Sequence, residues 1–113
     1  MRVLIRVLKA LADPTRMRIL KLLERKKMCV CELTAVIGIR QSSISHHLKI
    51  LRDAGLVDDI RNGLWIDYQL TKTHYNQYSP DLLEKIPEWL NDDETVLNDL
   101  KEAKKTERAK VCK

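Results

Sequence analysis

Gln41-Ser42-Ser43-Ile44-Ser45-His46-His47-Leu48-Lys49-Ile50-Leu51-Arg52-Asp53-Ala54-Gly55 carries two chemically opposed faces. At helical spacing Ile44, His47, Leu48 and Leu51 share one side, while Ser42, Ser45, His46 and Lys49 share the other. The first side is apolar enough to pack. The second consists of short hydrogen-bonding side chains and one ammonium. Gly55 ends the helix. Immediately upstream, residues 31–37 read as a short helix with Leu33, Val36 and Ile37 inward, closed by Gly38. A short helix, a glycine turn and a longer helix with an outward Ser/His/Lys face form a helix-turn-helix pattern. Small polar side chains let such a helix enter a major groove about 12 Å wide and bond to base edges or phosphates. An ordinary solvated face is the bland alternative.

Downstream lies Leu56-Val57-Asp58-Asp59-Ile60-Arg61-Asn62-Gly63-Leu64-Trp65-Ile66-Asp67-Tyr68-Gln69-Leu70. Asn62-Gly63 is a strong hairpin signal, and Leu64, Ile66, Tyr68 and Leu70 alternate as a half-buried strand should. A hairpin directly after a recognition-type helix is a wing, with Arg61 at its tip within reach of a phosphate or a minor groove. A loop made of Asn62 and Gly63 would set Asp58 against Asp67, which is unfavourable. A bulge or a frayed base is therefore expected, and the register stays open.

Upstream, residues 3–11 predict a helix with Leu4, Leu8 and Leu11 on one stripe, widened by Val3 and Val7, and Arg2, Arg6 and Lys9 opposite. Asp13-Pro14 is a cap and a first helical position. It opens a second helix carrying Met17, Ile19, Leu20, Leu22 and Leu23, broken at Lys26-Lys27. After the wing, Ser79-Pro80 starts a helix through Leu82, Leu83 and Ile86 that Pro87 interrupts. Asp92 or Asp93 then caps a last helix with Val96, Leu97, Leu100 and Ala103. The expected fold is mainly α with a small β-hairpin, a winged helix-turn-helix in the order α-α-α-α-β-β-α with an extra C-terminal helix. Residues 1–90 form the winged domain with dimerisation helices at both ends, and 91–113 the C-terminal helix and basic tail. The apolar surplus of the terminal helices points to a homodimer built from the first and C-terminal helices.

Composition narrows the function classes. The chain has 113 residues, room for one domain. Its apolar fraction of 44% contains no Phe, so its core is aliphatic. No apolar run approaches the eighteen or so residues of a membrane span. Charge interrupts the N-terminal stretch, which does not read as a signal peptide. An odd number of cysteines, 3, argues for a reducing cytoplasm over a secreted disulfide framework. Residues 1–80 carry 14 Lys and Arg against 7 Asp and Glu, whereas residues 81–100 hold 7 acids and one Lys. A basic first two-thirds suits one face toward a polyanion. No Gly-rich phosphate loop, His-Glu-x-x-His motif or Gly-x-Ser-x-Gly elbow is present, so enzymatic readings are weak.

Three blocks carry a family resemblance. Leu8-Lys9-Ala10-Leu11-Ala12-Asp13-Pro14-Thr15-Arg16-Met17-Arg18-Ile19-Leu20, then Cys29-Val30-Cys31-Glu32-Leu33, then residues 41–57, occur in the order and spacing of the ArsR/SmtB family of winged-helix repressors, which the chain resembles over roughly residues 4–90. The resemblance implies a homodimer on palindromic operator DNA, released when an ion binds. It implies DNA contacts from Gln41, Ser42, Ser43, Ser45, His46 and Lys49, joined by Arg61 and Asn62 on the wing. His46 stands where the family usually has Arg or another polar residue. Arg40 stands where it often has Ser or Asn, which removes the best helix cap and leaves Ser42 to serve if the helix starts two residues later.

Cys29-Val30-Cys31-Glu32-Leu33 resembles the signature of the family's arsenic- and antimony-responsive branch, which implies As(III) or Sb(III) as inducer at Cys29 and Cys31 and no organic cofactor. A third Cys common in that branch is here Thr34, and the Asp/His site of the zinc-type members has no counterpart. His74 reads as an ordinary surface or packing residue. Two thiolates suit a soft ion. The alternatives are two small buried hydrophobes, a sensor of Cd(II) or of thiol oxidation, and a winged-helix interaction module without DNA binding. Cys112 is a candidate third thiolate. Residues i and i+2 diverge by about 200° on a helix but share a side in an extended segment. Ion binding is therefore expected to stabilise a non-helical start to the third helix.

Overall fold

A computed structural model describes residues 1–111, in the order α1 (Arg2–Leu11), α2 (Pro14–Arg25), β1 (Met28–Cys29), α3 (Val30–Ile37), α4 (Gln41–Asp53), β2 (Val57–Asn62), β3 (Trp65–Leu70), α5 (Ser79–Lys85), a 3-10 turn (Ile86–Glu88), α6 (Glu94–Lys105) and α7 (Arg108–Val111). This is the expected winged helix-turn-helix with two additions, the strand β1 and the short helix α7 within the expected basic tail. The two-residue strand β1 makes the hairpin a three-stranded antiparallel sheet in the order β1-β3-β2. Two residues are too few for a period-2 pattern, and only pairing with β3 makes them a strand. Among the described residues no helix is long and apolar enough to cross a membrane.

The core is aliphatic. Leu20, Leu33, Ile44, Leu48, Leu51, Leu56 and Ile86 are essentially inaccessible, and together they join α2, α3, α4 and the turn after α5. Helix ends follow local chemistry. Asp13 Oδ2 accepts from the Arg16 amide at 3.0 Å, Gly38 closes α3 at φ 79°, and Asp93 caps α6 through the Val96 amide. Ser79 does not cap α5. Its hydroxyl is buried and donates to the Ala54 carbonyl, while Asn76 Oδ1 accepts from the Tyr78 and Ser79 amides. Pro87 ends the α-helix at Lys85 and leaves the 3-10 turn. Buried Lys21 holds that turn, donating to the Ile86 carbonyl and to Asn91 while pairing with Glu24.

On α1, Val7 and Ala10 are the buried residues, while Val3, Ile5 and Leu8 are more than two-fifths exposed. On the wing, the observed register differs from the one that an Asn62-Gly63 loop implies. The wing turn lies one residue later than Asn62-Gly63. Asn62 pairs with Trp65, so Gly63 and Leu64 form the loop, with Gly63 at φ 64°; a glycine at the first loop position is the II′ preference. This register sets Asp58 opposite Gln69 and Asp67 opposite Ile60, which removes the expected carboxylate clash without a bulge. Only half of the alternating stripe faces the core, at Tyr68 and Leu70. Leu64 is 95% exposed and Ile66 42%, whereas Asp67 is buried.

Helix α6 is anchored to α2 by charge. Arg18 Nε and Nη2 each meet an Asp99 oxygen at 2.8 Å, and the Asp99 carboxylate is almost fully buried. The hydrogen bond to Asp99 raises the Arg18 pKa, a gain only partly offset by burial. Removing one member of a buried pair strands the other. Arg18→Met is expected to lower the unfolding free energy by about 3 kcal/mol in urea melts at fixed protein concentration. Arg18→Met with Asp99→Leu should recover most of that loss. Equal losses in the two variants would mean that packing, not the pair, anchors α6.

Candidate nucleic-acid interface and thiol pair

Packing of α3 against α4 orients the outer face of α4. Ile44, Leu48 and Leu51 are buried, and Gln41, Ser42, Ser45, His46 and Lys49 are exposed. Ser43 is half-buried at the shoulder. The sequence-derived surface is therefore one contiguous side of one helix. Lys49 Nζ rests 2.8 Å from Asp53 Oδ2 in an exposed i,i+4 pair. The hydrogen bond from that ammonium holds the Asp53 carboxyl below its usual range. Such a pair is weak in water, so Lys49 can exchange it for a phosphate at little cost.

Arg40 occupies the N-cap of α4 without a side-chain cap, as its chemistry requires, and the helix begins at Gln41, which leaves Ser42 inside the first turn and not at the cap. Arg40 is itself exposed at the leading end of the helix. Its signal in the sequence is a cation directly before the polar face of α4. On the wing, Arg61 and Asn62 are both exposed. Asn62 is also engaged internally, its side-chain amide donating to Asp67 Oδ2 at 3.2 Å.

His47 is half-buried and tied to α2. Arg16 Nη1 lies 3.0 Å from His47 Nδ1, while the same guanidinium donates from Nε to the Ala10 carbonyl and from Nη2 to the Lys9 carbonyl. One arginine thus fastens the end of α1 to the inner edge of α4. A guanidinium only donates, so Nδ1 is the acceptor and the ring is neutral.

The cysteines sit at the junction of sheet and helix. Cys29 is extended, at φ −89° and ψ 171°, and is the N-cap of α3. Cys31 lies in the first helical turn, half-buried, while Cys29 is buried. The helix starts at Val30, so of the two thiol residues only Cys29 lies outside it. The Cys29 amide donates to Glu32 Oε1 at 3.0 Å. Burial pushes the Glu32 carboxyl upward, but the Cys29 amide and the Arg108 guanidinium outweigh it and hold the group below the usual carboxylate range. Thr34 Oγ1 is buried without a hydrogen-bond partner among the described residues. Among those residues no group of three or more Cys, His, Asp and Glu side chains could hold a metal ion. Cys112 lies outside them. His74 is exposed.

Residues missed by the sequence reading surround the thiols. Arg108 pairs with both Glu32 and Asp67 and lies over the Trp65 ring. Glu32 stands within the Cys29–Leu33 motif and Asp67 within β3. Nothing in their neighbouring sequence marks them as partners.

Residues 13–59 match the family model described as bacterial regulatory protein, arsR family. The chain is 39% identical over 101 residues to the arsenic resistance transcriptional regulator ArsR1 of Pseudomonas putida, an alignment covering 85% of this chain and 78% of that one. It is 45% identical over 69 residues to the arsenical resistance operon repressor of Bacillus subtilis, covering 60% of this chain and 66% of that protein. Its fold is similar, at TM-score 0.65 and 25% identity, to a homodimeric winged helix-turn-helix DNA-binding domain from Mycobacterium bovis, over 80% of this chain and 81% of that one.

The Arg16–His47 contact makes stability depend on pH. Burial lowers the His47 pKa below the ordinary 6.5, and the Arg16 and His46 charges add to this against an opposing pull from Asp13. Because the folded state takes up the proton less readily than the unfolded one, this stability is fully present above the unfolded value and is lost as pH falls through the lowered folded value. Chemical denaturation should therefore show stability declining as pH falls below about 6.5. His47→Gln, which can still accept from Arg16, should flatten that decline. An unchanged slope in this variant would remove His47 as its source.

Proposed function

The chain belongs to the arsR family of bacterial regulatory proteins, and from that membership we propose that it is a homodimeric repressor released from its operator when arsenite or antimonite binds Cys29 and Cys31. It is a winged helix-turn-helix transcriptional repressor and not an enzyme. The observation that carries the inducer reading is the position of the thiols. Cys29 belongs to a strand paired with the wing, and Cys31 belongs to the helix that packs on α4. Two sulfur donors suit a soft, thiophilic ion, whereas the Thr34 hydroxyl is a poor ligand for one. The arsenic-resistance roles named for the two relatives support the same assignment. Thiols kept reduced for such a task fit a cytoplasmic protein.

Chelation requires the two sulfurs to converge. Cys29 is extended and Cys31 is already helical, so the first turn of α3 has to change shape. Because α3 packs on α4, that change tilts the recognition helix. In the dimer, two α4 helices meet half-sites about 34 Å apart, and a small tilt in each loses many contacts together. Exposed Val3, Ile5 and Leu8 on α1 and Leu97 on α6 supply the apolar surface for a twofold interface between terminal helices. At the palindromic operator, Ser45, His46 and Lys49 face the groove, Gln41, Ser42 and Ser43 lead, and Arg61 and Asn62 reach from the wing.

Two sets of variants test this reading. Lys49→Ala should weaken binding to operator and random DNA by a similar factor, as a phosphate contact does, while His46→Ala should change sequence preference. If both bind the operator as wild type does, the face is misassigned. Affinity for DNA should also fall steeply with salt; a flat response would favour a protein-interaction module.

Cys29→Ser and Cys31→Ser should each keep folding, dimerisation and operator affinity. Each should lose release by arsenite, because one sulfur cannot chelate. The measurement is operator release by arsenite, antimonite, Cd(II), Zn(II) and peroxide side by side. Release by arsenite that survives both substitutions overturns the metalloid site, and release by Cd(II) or peroxide alone moves the assignment to those inducers.

A further inference from the structure

We propose that Arg108 is a latch between the thiol segment and the wing, and that ion binding at Cys29 and Cys31 reaches the wing by opening it; the proposal rests on the inducer reading above. Two carboxylates are buried here, Glu32 at 6% exposure and Asp67 at 1%, and one guanidinium serves both. Arg108 Nη2 and Nε reach Glu32 Oε1 at 2.9 and 3.2 Å, and Nη2 also donates to Asp67 Oδ1. Buried carboxylates stay ionised only when paired, so neither can lose its cation without rearranging.

The latch is wired to the thiols at one atom. The Glu32 oxygen that holds Arg108 also accepts the Cys29 amide at 3.0 Å. Cys29 is in turn the β-sheet partner of Asp67. On the other side, Asp67 uses its second oxygen to hold Asn62 at the wing tip. Arg108 Cζ lies 5.2 Å from the centroid of Trp65, and Trp65 is the register partner of Asn62. A continuous path therefore runs from the Cys29 amide through Glu32, Arg108 and Asp67 to the wing tip.

Chelation pulls on that path. Drawing the Cys29 sulfur toward Cys31 turns the residue whose amide is bound to Glu32. The Glu32 carboxylate then loses this donor and its placement against Arg108. With Glu32 displaced, Asp67 no longer sits at a two-carboxylate site, and its hold on Asn62 and the Trp65 strand shifts. Movement of α4 and movement of the wing are thus two consequences of one change at residues 29–32.

Operator affinity of the full-length dimer is measured with and without arsenite, together with arsenite binding read from thiolate-to-arsenic absorbance in the near ultraviolet. In wild type, arsenite is expected to weaken the complex by about tenfold or more. Arg108→Gln should bind arsenite with unchanged stoichiometry but reduce that factor to about threefold or less. Arg108→Lys, which keeps the charge without the fork, should fall between.

A second readout needs no DNA. In a Trp89→Phe background, arsenite should change Trp65 emission, and adding Arg108→Gln should abolish the change. Wild type that releases DNA while Arg108→Gln releases it by the same factor, or Trp65 emission that responds equally in both proteins, overturns the latch and leaves the inducer site standing. A wild-type complex indifferent to arsenite defeats the inducer reading itself.

Discussion

Burial of one side of α4 is the constraint on which the rest of the molecule depends. Ile44 and Leu51 are fully inaccessible and Leu48 nearly so, and each apolar side chain of this size withdrawn from water contributes about 1.5–3 kcal/mol. That seam fixes the rotation of the helix about its axis. Once it is fixed, Ser42, Ser45, His46 and Lys49 have to face outward, because a 3.6-residue period leaves them no other direction. The polar surface of the helix is thus a consequence of the apolar one. Every element that packs behind α4, above all α3, also acquires a means of moving that surface.

Around this seam the domain is thin, and buried charge completes what aliphatic packing begins. Arg18 with Asp99, Lys21 with the Ile86 carbonyl, and Arg108 with Glu32 and Asp67 all join elements distant in sequence. An apolar contact tolerates sliding, whereas a forked guanidinium demands both direction and distance. Such pairs are weak evidence for net stability, since desolvation offsets much of their attraction. Their value in a domain without Phe is in holding terminal segments in one place. The same property makes them suited to switching, because a pair with strict geometry responds to a small displacement of one member.

Elements governed by local chemistry were legible beforehand. Helix α2 begins where Asp13 and Pro14 say it should, α3 ends at Gly38, and Pro87 breaks the helix at Lys85. The polar face of α4 and the thiol pair were also legible, since each lies within a few residues of chain. The turn of the wing was not. Asn62-Gly63 carries the stronger local preference, yet the strands pair one residue further on. That register pairs Asp58 with Gln69 and lets its carboxylate accept from Thr71 and Tyr75, and it places Asp67 inside, where Arg108 neutralises it. A buried ion pair and the avoidance of a carboxylate clash outweighed a turn propensity.

What the sequence by itself determined is therefore helices α1–α6, the inward faces of α2, α3 and α4, the caps at Asp13 and Asp93, and the family. Those signals act over a turn or two of helix, and periodicity reports them directly. Only the tertiary structure decided that Met28 and Cys29 form a strand, that Arg16 fastens His47, and that Arg108 joins Glu32 to Asp67. These partners stand 31, 41 and 76 positions apart for Arg16–His47, Arg108–Asp67 and Arg108–Glu32. No local preference encodes them. They form because the packed helices bring a guanidinium within reach of groups that, once buried, have to be paired.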